Sequence, residues 1–332
     1  MRMIREEEPL QDLYARRIDY LRLSVTDRCN LRCTYCMPPE GVPHLPHENI
    51  LTYEEILRFV GIAVKAGISK VRLTGGEPLV RKNIESLVGV LAASYPQLDL
   101  SITTNGVLLA DHAPSLKRSG LRRVNISIDS LREETYARIT RGGSLQKVLH
   151  GLRSALEEDL HPVKVNVVLL KGFTDKREEL EPFIRLIHDL PVFVRFIEYM
   201  SPRGTLDASH FVPITWVESE LKRFGKIVEG TSPVGAGPAR YLEMEGALGK
   251  IGLISPISSH FCPSCNRLRL TADGRMKPCL LSSEEMDIRS QLRGDASDQE
   301  ILHSIRTCLH AKRKGYRERS QTLHQTMSQI GG

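Results

Sequence analysis

No stretch of this sequence is apolar for anything near the roughly 20 residues that cross a bilayer, so a membrane span is not expected. Residues 1–11 are charged and lack the apolar centre of a secretion signal, which points to a cytoplasmic protein. Cysteine is scarce too. Seven thiols in 332 residues are too few for a disulfide scaffold, and free thiols persist in a reducing compartment. Low-complexity segments are missing, and no internal repeat goes beyond an alternation of short β-rich and helical patterns. Nor is the charge one-sided. A balance of 46 basic and 40 acidic residues leaves +6, too mild to choose between nucleic acid, an anionic small molecule and no charged partner.

Six of the seven cysteines nevertheless fall into two triads. Cys29, Cys33 and Cys36 are spaced C-x3-C-x2-C; Cys262 and Cys265 form a C-x2-C pair, followed by Cys279. Iron–sulfur clusters usually take four thiolates, so three leave one iron open to a ligand. A structural site would be closed. Missing one ligand at each triad argues for chemistry rather than scaffolding. Cys308, between Ile305 and Leu309 in a helical pattern, reads as a packed core thiol. Trp216 and the histidines have no ligand-like spacing.

Strands are predicted over 20–25, 70–73, 98–103, 123–128, 163–168 and 194–199, with helical patterns between them. One helix opens with a capping box, Thr52 and Glu55; others are predicted to start at Asp175, with Glu178, and at Thr215, with Glu218. Six βα units imply an α/β fold with an open or barrel-like parallel sheet, since full closure needs about eight strands. Alternation within the strands sets an apolar face (Leu21, Leu23, Val71, Leu73, Val124, Ile126) against a polar one (Arg22, Arg72, Ser101, Thr103, Asn125, Lys164). The apolar set belongs under the helices. The polar set must then face the inside of a curved sheet, as a wet lumen for a polar, anionic ligand. A Gly/Pro loop at 230–237, a strand at 250–254 and a hairpin turning at Asp273-Gly274 follow, and residues 311–332 read as a polar, loosely held tail.

The first triad lies directly after the first strand, with Tyr35 before its last thiol, and Thr74-Gly75-Gly76-Glu77-Pro78 ends the second strand. Together these resemble the radical S-adenosylmethionine superfamily. Glycines there would let the backbone approach the ligand's amino group, with Glu77 as an anionic acceptor. The second triad, within Phe261-Cys262-Pro263-Ser264-Cys265-Asn266-Arg267-Leu268-Arg269, resembles the GTP 3′,8-cyclase family of molybdenum cofactor biosynthesis. So do Leu21-Arg22-Leu23-Ser24, Thr103-Thr104-Asn105-Gly106, Ser127-Ile128-Asp129 and Arg195-Phe196-Ile197-Glu198-Tyr199-Met200.

That resemblance implies an incomplete (β/α)6 TIM-like barrel over 1–200, with a C-terminal region, 201–332, closing the opening. It implies a lyase that joins C8 of guanine to C3′ of the ribose, giving (8S)-3′,8-cyclo-7,8-dihydroguanosine 5′-triphosphate. By the same resemblance Cys29, Cys33 and Cys36 hold a radical-generating [4Fe-4S] cluster, and Cys262, Cys265 and Cys279 an auxiliary one that grips the guanine. Tyr35, Gly76, Ser127 and Met200 match positions that contact S-adenosylmethionine; Arg22, Arg72, Thr103, Lys164, Arg267, Leu268 and Arg269 match positions that contact GTP. The implied partners are an electron donor and a downstream cyclic pyranopterin monophosphate synthase, with a homodimer allowed and no nucleic acid or membrane. Gly331-Gly332 matches a tail that reaches the active site in that family.

Charge logic supports the GTP set independently. Arg22, Arg72 and Lys164 lie on the polar face, Arg267 and Arg269 share one side of a strand, and a triphosphate favours arginine's fork of donors. Lys70 and Arg195 fit the same lumen. Two other readings are open to the residues alone: a peptide-modifying radical enzyme, and a zinc-dependent nucleic-acid-binding protein. The first usually carries more C-terminal cysteines, and the second lacks a fourth local ligand.

Overall fold

The computed structural model describes residues 9–200, 209–233, 237–315 and 327–331. Six parallel strands come first: β1 (Tyr20–Ser24), β2 (Lys70–Thr74), β3 (Asp99–Thr104), β4 (Arg123–Ser127), β5 (Lys164–Leu169) and β6 (Phe193–Glu198). Between them run helices α1 (Tyr53–Lys65), α2 (Ile84–Ser94), α3 (Leu109–Arg118), α4 (Glu133–Thr140), α5 (Leu145–Glu157) and α6 (Arg177–Asp189). All six predicted strands are present within a residue or so of their expected ends. Leu21, Leu23, Val71, Leu73, Val124 and Ile126 join one core beneath the helices, as their alternation requires.

The rest of the chain extends this sheet on both sides. After α7 (Ile214–Leu221) come β7 (Ile227–Glu229), β8 (Arg240–Met244) and β9 (Lys250–Ile254). Then follow β10 (Arg267–Leu270), β11 (Arg275–Lys277) and β12 (Met286–Asp287), helices α8 (Arg289–Arg293) and α9 (Asp298–His310), and a last turn, α10 (Met327–Ile330). The sheet order is β12-β11-β10-β1-β2-β3-β4-β5-β6-β9-β8-β7. Because β9 pairs parallel with β6 and β10 parallel with β1, eight consecutive strands are parallel, the number that a full barrel needs. Among the described residues no ladder joins β9 to β10, so the barrel keeps an open seam. The loop that spans it, 255–266, carries Cys262 and Cys265.

Local signals explain several boundaries. Thr52 and Glu55 exchange their hydrogen bonds at the start of α1, and Ser297 and Glu300 do the same for α9. Two expected caps differ. Asp175 accepts instead from the Gly172 N–H at 2.7 Å, and α6 begins at Arg177 with no side-chain cap. Helix α7 starts before Thr215, at Ile214, because Glu198 at the end of β6 takes the Ile214 N–H at 2.9 Å. The same buried carboxylate accepts from the Ile257 and Ser258 N–H groups, so it fixes the root of the 255–266 loop. Cys308 is a buried core thiol on α9.

Candidate active site

Strand register decides which polar side chains meet. Across β10, β1, β2 and β3, residues Arg269, Arg22, Arg72 and Ser101 stand in one row. Thr103, Asn125 and Lys164 form the next across β3 to β5, and Asn166 lies opposite Arg195. Each sits on the face opposite the apolar core. Arg72 Nε donates to Ser101 Oγ at 3.3 Å, and its guanidinium lies 5.4 Å from the Tyr20 ring centroid. Arg195 donates to Asn125 Oδ1 at 2.7 Å and to Asn166 Oδ1 at 2.5 Å. Arg123, also facing the lumen, is paired with Asp99.

This concentration of buried cations perturbs itself. Burial, then Arg269, drives Arg22 well below the usual arginine range. Arg72 and Arg269 each fall to about 10, mainly through burial. Burial, then Arg195, Arg123 and Arg72, brings Lys164 down to about 6, so its amine is largely neutral at pH 7. Among the described residues, Thr103 Oγ1 and Tyr20 Oη are buried without a hydrogen-bond partner. An unmet buried polar group costs about 1–3 kcal/mol, which a polar ligand would offset. The lumen is short of negative charge and of acceptors, and a polyphosphate supplies both.

At the C-terminal end of β1 the first cysteine loop packs on the glycine loop that follows β2. The Gly76 N–H donates to Thr26 O at 2.8 Å and the Glu77 N–H to Arg28 O at 2.7 Å. A Cβ at Gly76 would sit 2.3 Å from Arg28 O, so no larger residue fits there. The glycines let backbone pack against backbone here. Glu77 is turned inward. It is 1% exposed, and its carboxylate accepts from Thr104 Oγ1, the Leu79 N–H and the Asn105 N–H, which ties the loops after β2 and β3 together. Burial still raises it to about 7.

The three thiols of this loop are half-buried. Burial pushes Cys33 well up, followed by Asp129, and raises Cys36 to about 12. Asn105 Nδ2 approaches Cys29 Sγ at 3.9 Å, and Tyr35 donates to Asp129 at 2.8 Å. Ser127 ends β4 beside this loop, half-exposed. The soft thiolate donors suit iron–sulfur ligation. Among the described residues, no group of three metal-binding side chains converges on one point. Each thiolate of a cubane meets a different iron, so convergence is not required of a cluster site.

The second triad borders a cavity shared by Cys262, Cys265, Cys279, Arg267, Arg269 and Met200. Burial pushes Cys265 up, but Lys312 and Arg267 outweigh it and bring the thiol down to about 6. Arg267 also stacks 4.7 Å from the Phe261 ring centroid. Met200, expected near S-adenosylmethionine, packs here with Leu280, Leu281 and Ile330, while its neighbour Tyr199 contacts the Tyr35 ring. The Leu268 side chain is fully buried in the core, because strand alternation turns it away from Arg267 and Arg269. Only its backbone is left for a ligand.

The end of the chain is not loosely held where it is described. Ile330 packs under Leu280 and Leu281, and the Gly331 carbonyl accepts from Arg269 at 2.7 Å. Gly332 lies outside the described residues.

Residues 23–187 match the family model of the radical SAM superfamily, and 192–318 that of Molybdenum Cofactor Synthesis C. The chain is 46% identical to the GTP 3′,8-cyclase of Pelotomaculum thermopropionicum, over 97% of its own length and 100% of that protein's. The enzyme of Moorella thermoacetica is 45% identical over 97% and 100%, and that of Listeria monocytogenes 44% over 97% and 99%. The chain belongs to the GTP 3′,8-cyclase family. As a radical SAM protein, a member of this family uses an iron–sulfur cluster and S-adenosylmethionine. Streptococcus suis SuiB bound to precursor peptide SuiA shares the fold, with a TM-score of 0.58 at 13% identity, covering 93% of this chain and 71% of that one.

Three kinds of residue at the site carry no local sequence signature. Arg16 and Lys312 reach the second triad from far along the chain. Tyr20 lies on the lumen floor beneath Arg72. Asp129 belongs to the Ser127-Ile128-Asp129 motif, but its bond to Tyr35 joins segments far apart in sequence. Such pairs form only when the chain is folded, between segments distant in sequence.

Proposed function

We propose that this protein is a radical S-adenosylmethionine lyase converting GTP to (8S)-3′,8-cyclo-7,8-dihydroguanosine 5′-triphosphate, the first step of molybdenum cofactor biosynthesis. The observation that carries the reading is the row Arg269, Arg22 and Arg72, with Lys164 beyond it, lying between two three-cysteine loops. The row matches a triphosphate in charge and in forked donors. Cys29, Cys33 and Cys36 would hold one [4Fe-4S] cluster and Cys262, Cys265 and Cys279 a second. The first cluster and S-adenosylmethionine supply the one-electron chemistry when bound.

The chain's own residues bind and aim. Tyr35, Gly76, Ser127 and Met200 would border S-adenosylmethionine; Arg22, Arg72, Thr103, Lys164, Arg267 and Arg269 would take GTP, with Thr103 Oγ1 offering an unused donor. Residues 1–200 would form the radical-generating part and 201–332 the auxiliary part. A cytoplasmic setting, an electron donor, a downstream cyclic pyranopterin monophosphate synthase and a homodimer complete the proposal.

The decisive experiment is anaerobic incubation of reconstituted protein with GTP, S-adenosylmethionine and dithionite. The expected result is 5′-deoxyadenosine together with a cyclised GTP, and loss of the cyclised product in Cys262→Ser. Formation of 5′-deoxyadenosine with GTP left intact would overturn the substrate assignment.

A further inference from the structure

Lys312 follows α9, far in sequence from the cysteines, yet it is only 3% exposed. Its ammonium donates to Pro278 O at 2.7 Å and to Arg267 O at 2.9 Å. Pro278 directly precedes Cys279, and Arg267 stands two residues after Cys265. One cation therefore joins the two arms of the β10–β11 hairpin that carry these thiols. Arg16, 8% exposed, holds the third arm by donating to Cys262 O at 2.8 Å. It also grips Arg313 O at 2.7 Å, next to Lys312.

The two cations differ in compensation. Arg16 faces Asp12 at 2.5 Å, a carboxylate buried beside it. The Lys312 hydrogen bonds run to neutral carbonyl oxygens. A buried charge is costly unless an opposite charge lies close. The second cysteine site is the anion at hand: Lys312 lines one cavity together with Cys262, Cys265 and Cys279. The first triad has a carboxylate close by instead: Asp129 accepts from Tyr35, the residue before Cys36, at 2.8 Å.

We propose that Lys312 is a positioning residue of the second cluster, bracing the Cys265 and Cys279 arms and setting a fixed positive charge beside the cluster they ligate. The proposal rests on the two-cluster reading above. Net charge around a cluster is one of the levers on its reduction potential, and a nearby cation favours the electron-rich, reduced form. Lys312 thus makes the second cluster easier to reduce, while the first keeps the anionic surroundings of a strong reductant.

The test compares wild type with Lys312→Met, Lys312→Gln and Lys312→Arg, each reconstituted anaerobically. Iron content and the reduced fraction of each cluster are read by electron paramagnetic resonance at poised potentials. Wild type should hold about eight irons. In the uncharged variants the reduced-to-oxidised ratio of the second cluster should fall by about tenfold at fixed potential, equivalent to about 59 mV for one electron. The first cluster should be unmoved, and Lys312→Arg should restore the second. Loss of the second cluster from the uncharged variants but not from Lys312→Arg would equally support the brace. Uncharged variants that load fully and titrate like wild type would overturn it, as would a failure of Lys312→Arg to differ from them. About four irons in wild type would instead overturn the two-cluster reading and take this proposal with it.

Discussion

Arg269 Nη1 donates to the Gly331 carbonyl oxygen at 2.7 Å, so the end of the chain rests on the strand that leaves the second cysteine loop. The α10 turn just before it reaches the other triad: the Ser328 N–H acts on Cys36, opposing the upward push of burial and Cys29. Five residues, 327–331, therefore touch both cysteine sites.

Gly331 has φ +69°, and a Cβ there would fall 2.6 Å from Thr74 Oγ1. Gly331→Ala should detach this segment by about 1–3 kcal/mol, the usual cost of a strained backbone position. Hydrogen exchange at the Ser328 amide should accelerate by about tenfold or more, with exchange in β1 to β6 unchanged. Unaltered protection at Ser328 would show that the turn does not depend on Gly331.

Lys164, lowered to about 6, is mostly neutral in the free protein at pH 7.5. A bound triphosphate restores its charge, so binding must take up a proton. Calorimetry of GTP binding in buffers of different ionisation enthalpy should register an uptake of about one proton, and affinity should weaken as pH rises above about 6. Lys164→Met should abolish the uptake while leaving residual binding by the arginines.

Glu77 titrates at about 7 when folded, against 4.5 as its ordinary value. Between those values the folded chain holds an extra proton, so stability falls as pH rises, by about 1.4 kcal/mol per pH unit at most. Thr104→Val removes a 2.7 Å donor from this carboxylate. It should cost about 1–3 kcal/mol and extend the falling limb to higher pH, as read by denaturant titration across pH 5 to 8.

Leu268 and Arg269 are neighbours with opposite duties. Leu268→Ala, in the core, should cost about 2–5 kcal/mol of stability with little change in KM for GTP. Arg269→Lys should leave stability nearly intact and raise KM by about tenfold or more, because an ammonium cannot reproduce the guanidinium's fork. Thermal melts and steady-state kinetics on the same preparations separate the two.

Much of this architecture was legible in the chain because it is periodic. Alternation in 20–25 and 123–128 sorted core from lumen, and the Thr52–Glu55 box marked the start of α1. What escaped was long-range. Glu198 supplies the cap that Thr215 was expected to give, and Glu77 serves its neighbouring loops, because tertiary partners outbid local ones. The parallel joins of β9 to β6 and β10 to β1 link strands far apart in sequence, and alternation within a strand does not say which strand lies beside it. Leu268 obeys the same alternation as the other strands, which turns its side chain into the core.

The seam between β9 and β10 separates two kinds of constraint. Within a strand, inserting or deleting a residue would shift a hydrogen-bonded ladder and turn the following side chains of that strand to the wrong face. Across the seam no strand register fixes the 255–266 segment; it is held instead at separate points, by Glu198 at Ile257 and Ser258 and by Arg16 at Cys262, while the cationic rows stay where the ladders put them.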